Sequence, residues 1–350
     1  MTVPNLGVVV VTFNSADVIL DCLESLLSSA GVKLNICIVD NDSQDGTLTV
    51  LKNWASGDCP YSPPKDMPFR LRPTTKPISL CAGQHLSRGH QVTLIRTGIN
   101  GGFAYGVNVG LAALGSVTEL DRFWILNPDS AVPEHTAQAF ACAQVPPEGF
   151  SLMGGRVLYY DTPDIIQIDG GLINSKTGVT GNIGLGKLHK NTPAPDANSQ
   201  DFITGASMVA SREFYESVGP MDEDYFLYYE EVDWALRRKN LPLVYCEGAV
   251  VYHKAGTAIG SPTLGRPASP FSQYFKHRAR LRFVRKWMKS KYPAAITYSI
   301  AKAGQLLLKG FHREARALLL GSFDRQPPRQ IRNVLDDKAA KIAFFKKRKQ

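Results

Sequence analysis

Residues 6–12, LGVVVVT, form an uninterrupted β-branched run that ends in polar residues, which fits a strand covered on both faces. Residues 16–29 (ADVILDCLESLLSS) follow, with Ile19, Cys22, Leu23, Leu26 and Leu27 at helical spacing, and Asn14 or Ser15 is placed to cap that helix. LNICIVD (34–40) is a second apolar run, and its polar end, DNDSQDGT, opens a helix over about 46–55. Strand, helix and strand joined by short connections imply a right-handed crossover and a parallel sheet. The alternation resumes with a strand at 92–97, a helix at 104–115, a strand at 123–127 and a helix near Pro133.

Between these blocks, residues 57–90 are rich in Pro and turn residues and show no period, so they read as a long excursion from the sheet. Further on, short strands are expected within 153–160 and 165–173 and at 202–210, a helix over 229–239, and two short strands around Glu247-Gly248. Beyond about 270 the chain reads as helical, basic and amphipathic. With 350 residues, the chain can form one large α/β domain with a tail, or two domains. No run of about 18 apolar residues lacks charge, so no spanning helix is expected. The amino-terminal apolar run reads as a strand and not as a leader.

Six cysteines show no CxxC pair and no zinc spacing, which suggests buried free thiols in a reducing cytoplasm. The net charge is +9 and concentrates in KHRARLRFVRKWMKSKY (276–292) and KIAFFKKRKQ at the end. Such stretches meet an anionic membrane, phosphorylated substrates or nucleic acid, or are merely solvated helix faces.

Ligands of open parallel sheets bind beyond the carboxyl ends of the strands. Those ends carry Thr12-Phe13-Asn14, Asp40-Asn41-Asp42, Asn100-Gly101-Gly102 and Asn127-Pro128-Asp129. A carboxylate there can accept from a base N–H or ribose hydroxyls, and the glycines admit a diphosphate. DNDSQDG and NGGFAYG also read as plain turns. Neither matches GxGxxG or GxxxxGK[ST], which argues against nicotinamide enzymes and P-loop NTPases. Asp129, helped by Asn127, suits a hard cation completed by substrate phosphates. Glu230, Glu231 and Asp233 crowd one helical first turn, either as dipole compensation or as a general base with a raised pKa. His253 ends a strand, where it could be a further metal ligand.

The ordered set VVVVTFNS, IVDNDSQDGT, NGGFAYGVNVG, WILNPDS, FITGASMVASREFYESVGPMDEDYFLYYEEVDWALR and VYH resembles family 2 glycosyltransferases, closest to their rhamnosyltransferase-like branch, over about residues 6–285. The resemblance implies a GT-A fold: a mixed, mostly parallel sheet flanked by helices. A glycosyltransferase domain would span 1–270, with a nucleotide-binding half (1–130) and an acceptor half (131–270), followed by a helical basic region, 271–350. It implies an inverting, metal-dependent transferase. Thr12, Asn14, Asp40 and Asn41 would line the nucleoside pocket, with Asn100, Gly101, Gly102 and Asn108 near base, ribose or diphosphate. Asp129 matches the last carboxylate of the family's DxD motif, whose first Asp is here Asn127, and His253 matches its later metal-ligand histidine. Glu231 stands where the family's base is an Asp, with Glu230 and Asp233 as alternatives. Gly205 and Ala206 would lie near sugar or acceptor, and Trp234 would offer a stacking face.

The implied cofactor is Mg²⁺ or Mn²⁺. The implied partners are a dTDP- or UDP-linked donor, with dTDP-rhamnose first, and a cell-surface glycan or lipid-linked acceptor. The basic end would meet an anionic membrane at its cytoplasmic face; nucleic acid is not implied, and a homo-oligomer stays open. Acceptor contacts are expected from 57–90, 170–200 and 255–270. A nucleotidyltransferase making nucleotide sugars and a silent nucleotide-sugar binder are the alternatives. The first is disfavoured because TFNSADV lacks the basic Gly-rich loop such enzymes carry after their first strand.

Overall fold

The computed structural model describes residues 3–84, 89–254 and 267–345. The first half alternates as β1 (Asn5–Thr12), α1 (Ile19–Leu27), β2 (Lys33–Asp40), α2 (Thr47–Ser56), β3 (Gln91–Arg96), α3 (Phe103–Gly115) and β4 (Arg122–Leu126). There follow β5 (Ser130–Ala131), α4 (Thr136–Cys142), β6 (Leu152–Tyr159), β7 (Ile166–Ile168) and a β8–β9 hairpin (Gly170–Ile173, Thr180–Ile183). Then come β10 (Ser207–Ser211), α5 (Arg212–Val218), α6 (Glu230–Leu236) and β11 (Val244–His253). Five helices complete the described chain: α7 (Pro270–Trp287), α8 (Tyr292–Leu308), α9 (His312–Ser322), α10 (Arg329–Arg332) and α11 (Asp337–Phe345).

The main sheet runs β3-β2-β1-β4-β10-β6-β11-β5, with β7 on β6. β3, β2, β1 and β4 are parallel, and β10 enters antiparallel beside β4. Strand order reverses between β1 and β4, so a crevice opens at their carboxyl ends, where open α/β sheets bind ligands. The β-branched run of β1 is buried on both faces. Val8 and Val10 pack with Leu23, Trp54 and Phe140 on one side, and Val9 and Val11 pack with Val107, Leu111 and Phe283 on the other. The helix α3 sits close on β1 because Gly106 and Gly110 face it. A Cβ at either position would lie about 2.5 Å or less from Val11 or Val9.

Several boundaries differ from the sequence reading. α1 begins at Ile19, not 16, and neither Asn14 nor Ser15 caps it through a side chain; the Ser15 carbonyl instead accepts from the N–H groups of Val18 and Ile19. The strand expected at 202–210 is confined to Ser207–Ser211, because Thr204 turns the chain ahead of it: its carbonyl accepts from Ser207 N–H and its Oγ1 from Ala206 N–H. The two strands expected around Glu247-Gly248 are one strand, β11, whose register against β6 shifts between Tyr245 and Val250, with Gly248 at φ 88°. Three of the six thiols are exposed, at Cys59, Cys81 and Cys142, so the expectation of buried cysteines holds only for Cys22, Cys37 and Cys246.

The excursion after α2 is a strap over α1, held by two carboxylates of that helix. Buried Glu24 accepts from Trp54 Nε1 at 2.7 Å, Thr74 N–H at 2.7 Å and Lys76 Nζ at 2.6 Å. Asp21 accepts from Tyr61 Oη and Lys254 Nζ, each at 2.7 Å.

The basic stretch 276–292 is only partly a solvated face. Arg278 is buried and pairs with Asp324 at 2.7 Å, and buried Arg280 donates to the Ala295 carbonyl at 2.9 Å and Ser299 Oγ at 2.6 Å. α7 thereby joins the sheet core through Phe283 and Val284, and Phe271, Tyr274 and Phe275 carry a further cluster that includes Leu335 and Phe344.

Candidate active site

At the β1/β4 crevice lies a cavity of about 230 Å³. Its walls bring together Asn14, Asn41, Asn100 and Gly102 with Asn127, Asp129 and His253. Asn14, at φ 51°, ties the two nearest loops together: its Oδ1 accepts from Gln44 N–H at 2.8 Å, and its own N–H donates to Ser43 Oγ at 3.0 Å. Thr12 and Asp40 pair across the β1/β2 register. Both are buried, and among the described residues Thr12 Oγ1 and Asp40 Oδ1 have no hydrogen-bond partner, nor has Asn41 Oδ1. Buried polar atoms are rarely left unsatisfied unless they await something. Burial raises the Asp40 pKa, against the lowering effect of its hydrogen bonds from Ser43, and Asp42 adds to the rise. A bound N–H or O–H donor would relieve that cost.

Asn100 and the adjacent glycines act first as scaffold. Asn100 Oδ1 accepts from Gly102 N–H at 3.0 Å. Gly102 lies at φ 93°, and a Cβ there would stand 2.2 Å from the Phe226 carbonyl oxygen, whose partner is Phe103 N–H. Gly101 packs under the Tyr105 ring, where a Cβ would meet it at 2.4 Å. The approach of the 226 loop is by itself enough to require Gly at 102, which also lines the cavity.

Asp129 Oδ1 and His253 Nε2 are 3.1 Å apart, and the Asn127 amide nitrogen stands 3.3 Å from the same Nε2. On the far side of the ring, His253 Nδ1 meets Gln167 Oε1 at 2.8 Å. With Nδ1–H donating to Gln167, Nε2 is turned toward Asp129, where a protonated ring donates to Oδ1 and a neutral one offers its lone pair to a cation. Burial works to lower the His253 pKa, but the adjacent Asp129 charge and hydrogen bond win, and the net shift is upward. The position between Asp129 and His253 thus favours a positive charge. No group of three His, Cys, Asp or Glu side chains suited to a metal occurs among the described residues. One carboxylate, one imidazole and a neighbouring amide fit a cation whose other positions are filled by phosphate oxygens and water.

The acidic turn of α6 sits beside this cavity. Phe103 lines the cavity, and a Cβ on Gly205 would lie 3.5 Å from Phe103 and 3.8 Å from Glu231 Cβ, so Glu231 is one side chain away. The Ala206 carbonyl accepts from Asn127 N–H at 3.0 Å, locking this loop to the β4 end. Desolvation raises the Glu231 pKa to about 7, with backbone donors and Lys276 holding it from going higher. Glu230 is buried, and burial together with the Glu231 charge pushes its pKa well above the carboxylate range. The chain enters α6 through Phe226, Tyr228 and Tyr229 at φ 64°, 69° and 69°, a left-handed conformation costly for bulky residues. Phe226 stacking on Phe275, and hydrogen bonds from Tyr228 to Ser272 and from Tyr229 to the Gly178 carbonyl, hold it there.

Three sequence-based assignments are corrected. Asp233 is fully buried and spent on structure, taking Trp287 Nε1 at 2.7 Å, Lys286 at 2.8 Å and Arg237 at 3.2 Å. Trp234 is fully buried against Phe214 and donates to the Gly219 carbonyl, so it offers no stacking face. Asn108 clamps the 221–223 turn through Met221 N–H, the Met221 carbonyl and Glu223, and does not line the cavity. Sequence reasoning missed Gln167 behind His253, and also the apolar wall of Phe13, Phe226, Leu227, Phe271, Val334 and Leu335. The basic composition of the carboxy-terminal stretch hid that last contribution. Of the expected acceptor segments, 85–88 and 255–266 lie outside the described residues, as does the basic end from 346.

Residues 7–77 match the family model described as Glycosyl transferase family 2. The chain is similar to the low-salt glycan biosynthesis hexosyltransferase Agl10 of Haloferax volcanii, 27% identical over 172 residues that make up 45% of this chain and 50% of that protein. The chain therefore spans about half the length of the curated relative it matches. Among solved structures it is similar to GalNAc-T7 with UDP, GalNAc and Mn²⁺ (TM-score 0.57, 13% identity, 91% of this chain and 56% of that one). It is also similar to the mannosyltransferase PcManGT from Pyrobaculum calidifontis in complex with GDP-Man and Mn²⁺ (TM-score 0.52, 13% identity, 92% and 88%). The chain has the GT-A fold, and the family 2 match covers residues 7–77 within it.

Proposed function

We propose that the protein transfers a sugar, with inversion, from a nucleoside-diphosphate donor to an acceptor hydroxyl, using a divalent cation. The observation that carries this reading is one crevice with Asp129 and His253 face to face and Asn41, its Oδ1 unsatisfied, in the wall, with the unsatisfied Thr12 and Asp40 adjoining at the strand ends and Glu231 behind Phe103. Asp40 Oδ1 and Thr12 Oγ1 are the acceptors available to a base or ribose. Asp129 and His253 would hold the cation, Asn127 would assist, and Gln167 would fix the ring so that Nε2 points at the cation. When bound, the cation neutralises charge on the leaving diphosphate. The Glu231 carboxylate accepts the proton of the acceptor hydroxyl as that oxygen displaces the nucleoside diphosphate from the opposite face of the anomeric carbon, which inverts the centre. A pKa near 7 suits a base at neutral pH, whereas burial and the Glu231 charge push Glu230 upward, away from that role.

The resemblance in sequence puts dTDP-rhamnose first among donors and a cell-surface glycan or lipid-linked oligosaccharide first among acceptors. A peripheral site at the inner face of the cytoplasmic membrane agrees with the outer face of α8, where Ile300, Leu307 and Leu308 are exposed. A thermal-shift screen of dTDP-, UDP- and GDP-sugars with Mn²⁺ selects the donor. With that donor, Glu231→Gln should lower kcat by about 10²-fold or more while leaving donor affinity unchanged; near-normal turnover would remove Glu231 as the base. Pyrophosphate release from a nucleoside triphosphate and a sugar phosphate would overturn the reading in favour of nucleotidyl transfer.

A further inference from the structure

A second cavity, of about 790 Å³, adjoins the donor crevice, and the two share Phe271 and Val334 in their walls. Its rim carries Arg313 and Arg316, one turn apart on α9, and Arg329 at the start of α10. All three are exposed. The ion pairs that arginines make among the described residues belong to others, namely Arg156, Arg212, Arg237, Arg278 and Arg282. Among the described residues no carboxylate lines this second cavity, and its floor is apolar, built on Pro270, Phe271, Pro328 and Ile331.

On sequence alone these arginines belong to a solvated basic face. Their convergence on one groove that shares a wall with the donor crevice is a different arrangement. Like charges around a common cavity repel, and a bound multivalent anion offsets that repulsion. The guanidinium fork matches phosphate oxygens in pairs. We infer that this groove seats a phosphate or diphosphate group carried by the acceptor, and so presents the acceptor hydroxyl to the adjoining donor crevice. This placement rests on the transfer reading above; the anion site itself does not. The bearer of the phosphate is either an amphiphile, whose chain would lie on the apolar floor, or a soluble phosphorylated glycan.

The test is calorimetry on the whole protein in EDTA, which keeps anions from gathering on a cation at Asp129 and His253. Octyl phosphate below its micelle concentration, octyl glucoside and inorganic phosphate are titrated into wild type, into R313Q/R316Q/R329Q and into R313K/R316K/R329K. Octyl phosphate should bind wild type and lose at least ten-fold in affinity in the glutamine variant, the lysine variant, which keeps the charge but not the fork, should lose clearly less than the glutamine variant, and octyl glucoside should bind far more weakly. Tighter binding of octyl phosphate than of inorganic phosphate would support the site with an amphiphilic acceptor, and equal binding would support it with a soluble one. Equal octyl phosphate affinity in wild type and the glutamine variant, or octyl glucoside binding wild type as tightly as octyl phosphate does, would overturn the inference. The lysine variant separates loss of the anion site from loss of folding. Turnover is not read, so a protein that binds octyl phosphate through these arginines but transfers no sugar would sink the transfer reading alone.

Discussion

At the scale of single residues, one carboxyl sets the pH response. Glu231 must be ionised to accept a proton, and its pKa stands raised to about 7. The acid limb of kcat/KM should therefore rise through pH 7, with about a ten-fold deficit at pH 6 and a plateau above 8. Lys276 lowers that pKa, so Lys276→Met should move the limb to higher pH; an unmoved limb would mean that another group titrates. Gly102 makes a separate prediction. A methyl group there meets the Phe226 carbonyl oxygen at 2.2 Å on a backbone already at φ 93°. Gly102→Ala should cost about 3 kcal/mol, seen as a lowered Tm. Asp129, His253 and Glu231 were legible in the sequence because each ends a strand or opens a helix with a chemistry-bearing side chain. Asp233 and Trp234 misled because the same acidic, aromatic turn also builds core, and only tertiary packing decides which side chains face inward. Gln167 carried no signal at all, since its role exists only through the imidazole it touches.

At the scale of elements, the strands of the amino-terminal half were legible to within a residue or two, because burial on both faces forces unbroken apolar runs. Ends governed by backbone hydrogen bonds were not: α1 starts late on the Ser15 carbonyl, and β11 runs through a register shift where two strands were expected. The strap over α1 was invisible as structure because its anchors, Asp21 and Glu24, lie on another element. Glu24→Ala leaves Lys76 and the Trp54 and Thr74 donors without their partner. It should destabilise by about 3–5 kcal/mol and open the strap between 57 and 84 to limited proteolysis; an unchanged cleavage pattern would show that the strap is held elsewhere.

At the scale of the whole molecule, charge and apolar surface gather at the carboxy-terminal side. From residue 248 through 313 there is no Asp or Glu, and α8 exposes Leu308 to 91% and Ile300 to 53%. Basic flanks beside an apolar helix face suit an anionic bilayer surface. Leu307→Asp with Leu308→Asp should reduce co-sedimentation with phosphatidylglycerol vesicles several-fold while leaving the Tm near that of wild type; undiminished sedimentation would remove α8 from that contact. Val334 and Leu335 wall the same crevice that begins at Val11 and Phe13. A chain emerging from the ribosome thus lays down the first wall of its donor crevice more than three hundred residues before the last. During synthesis the parallel sheet can form while the crevice still lacks Val334 and Leu335, so its apolar wall is completed only once the segment after α10 has docked. Any cut that severs the segment beyond α9 would leave the sheet standing and the crevice open.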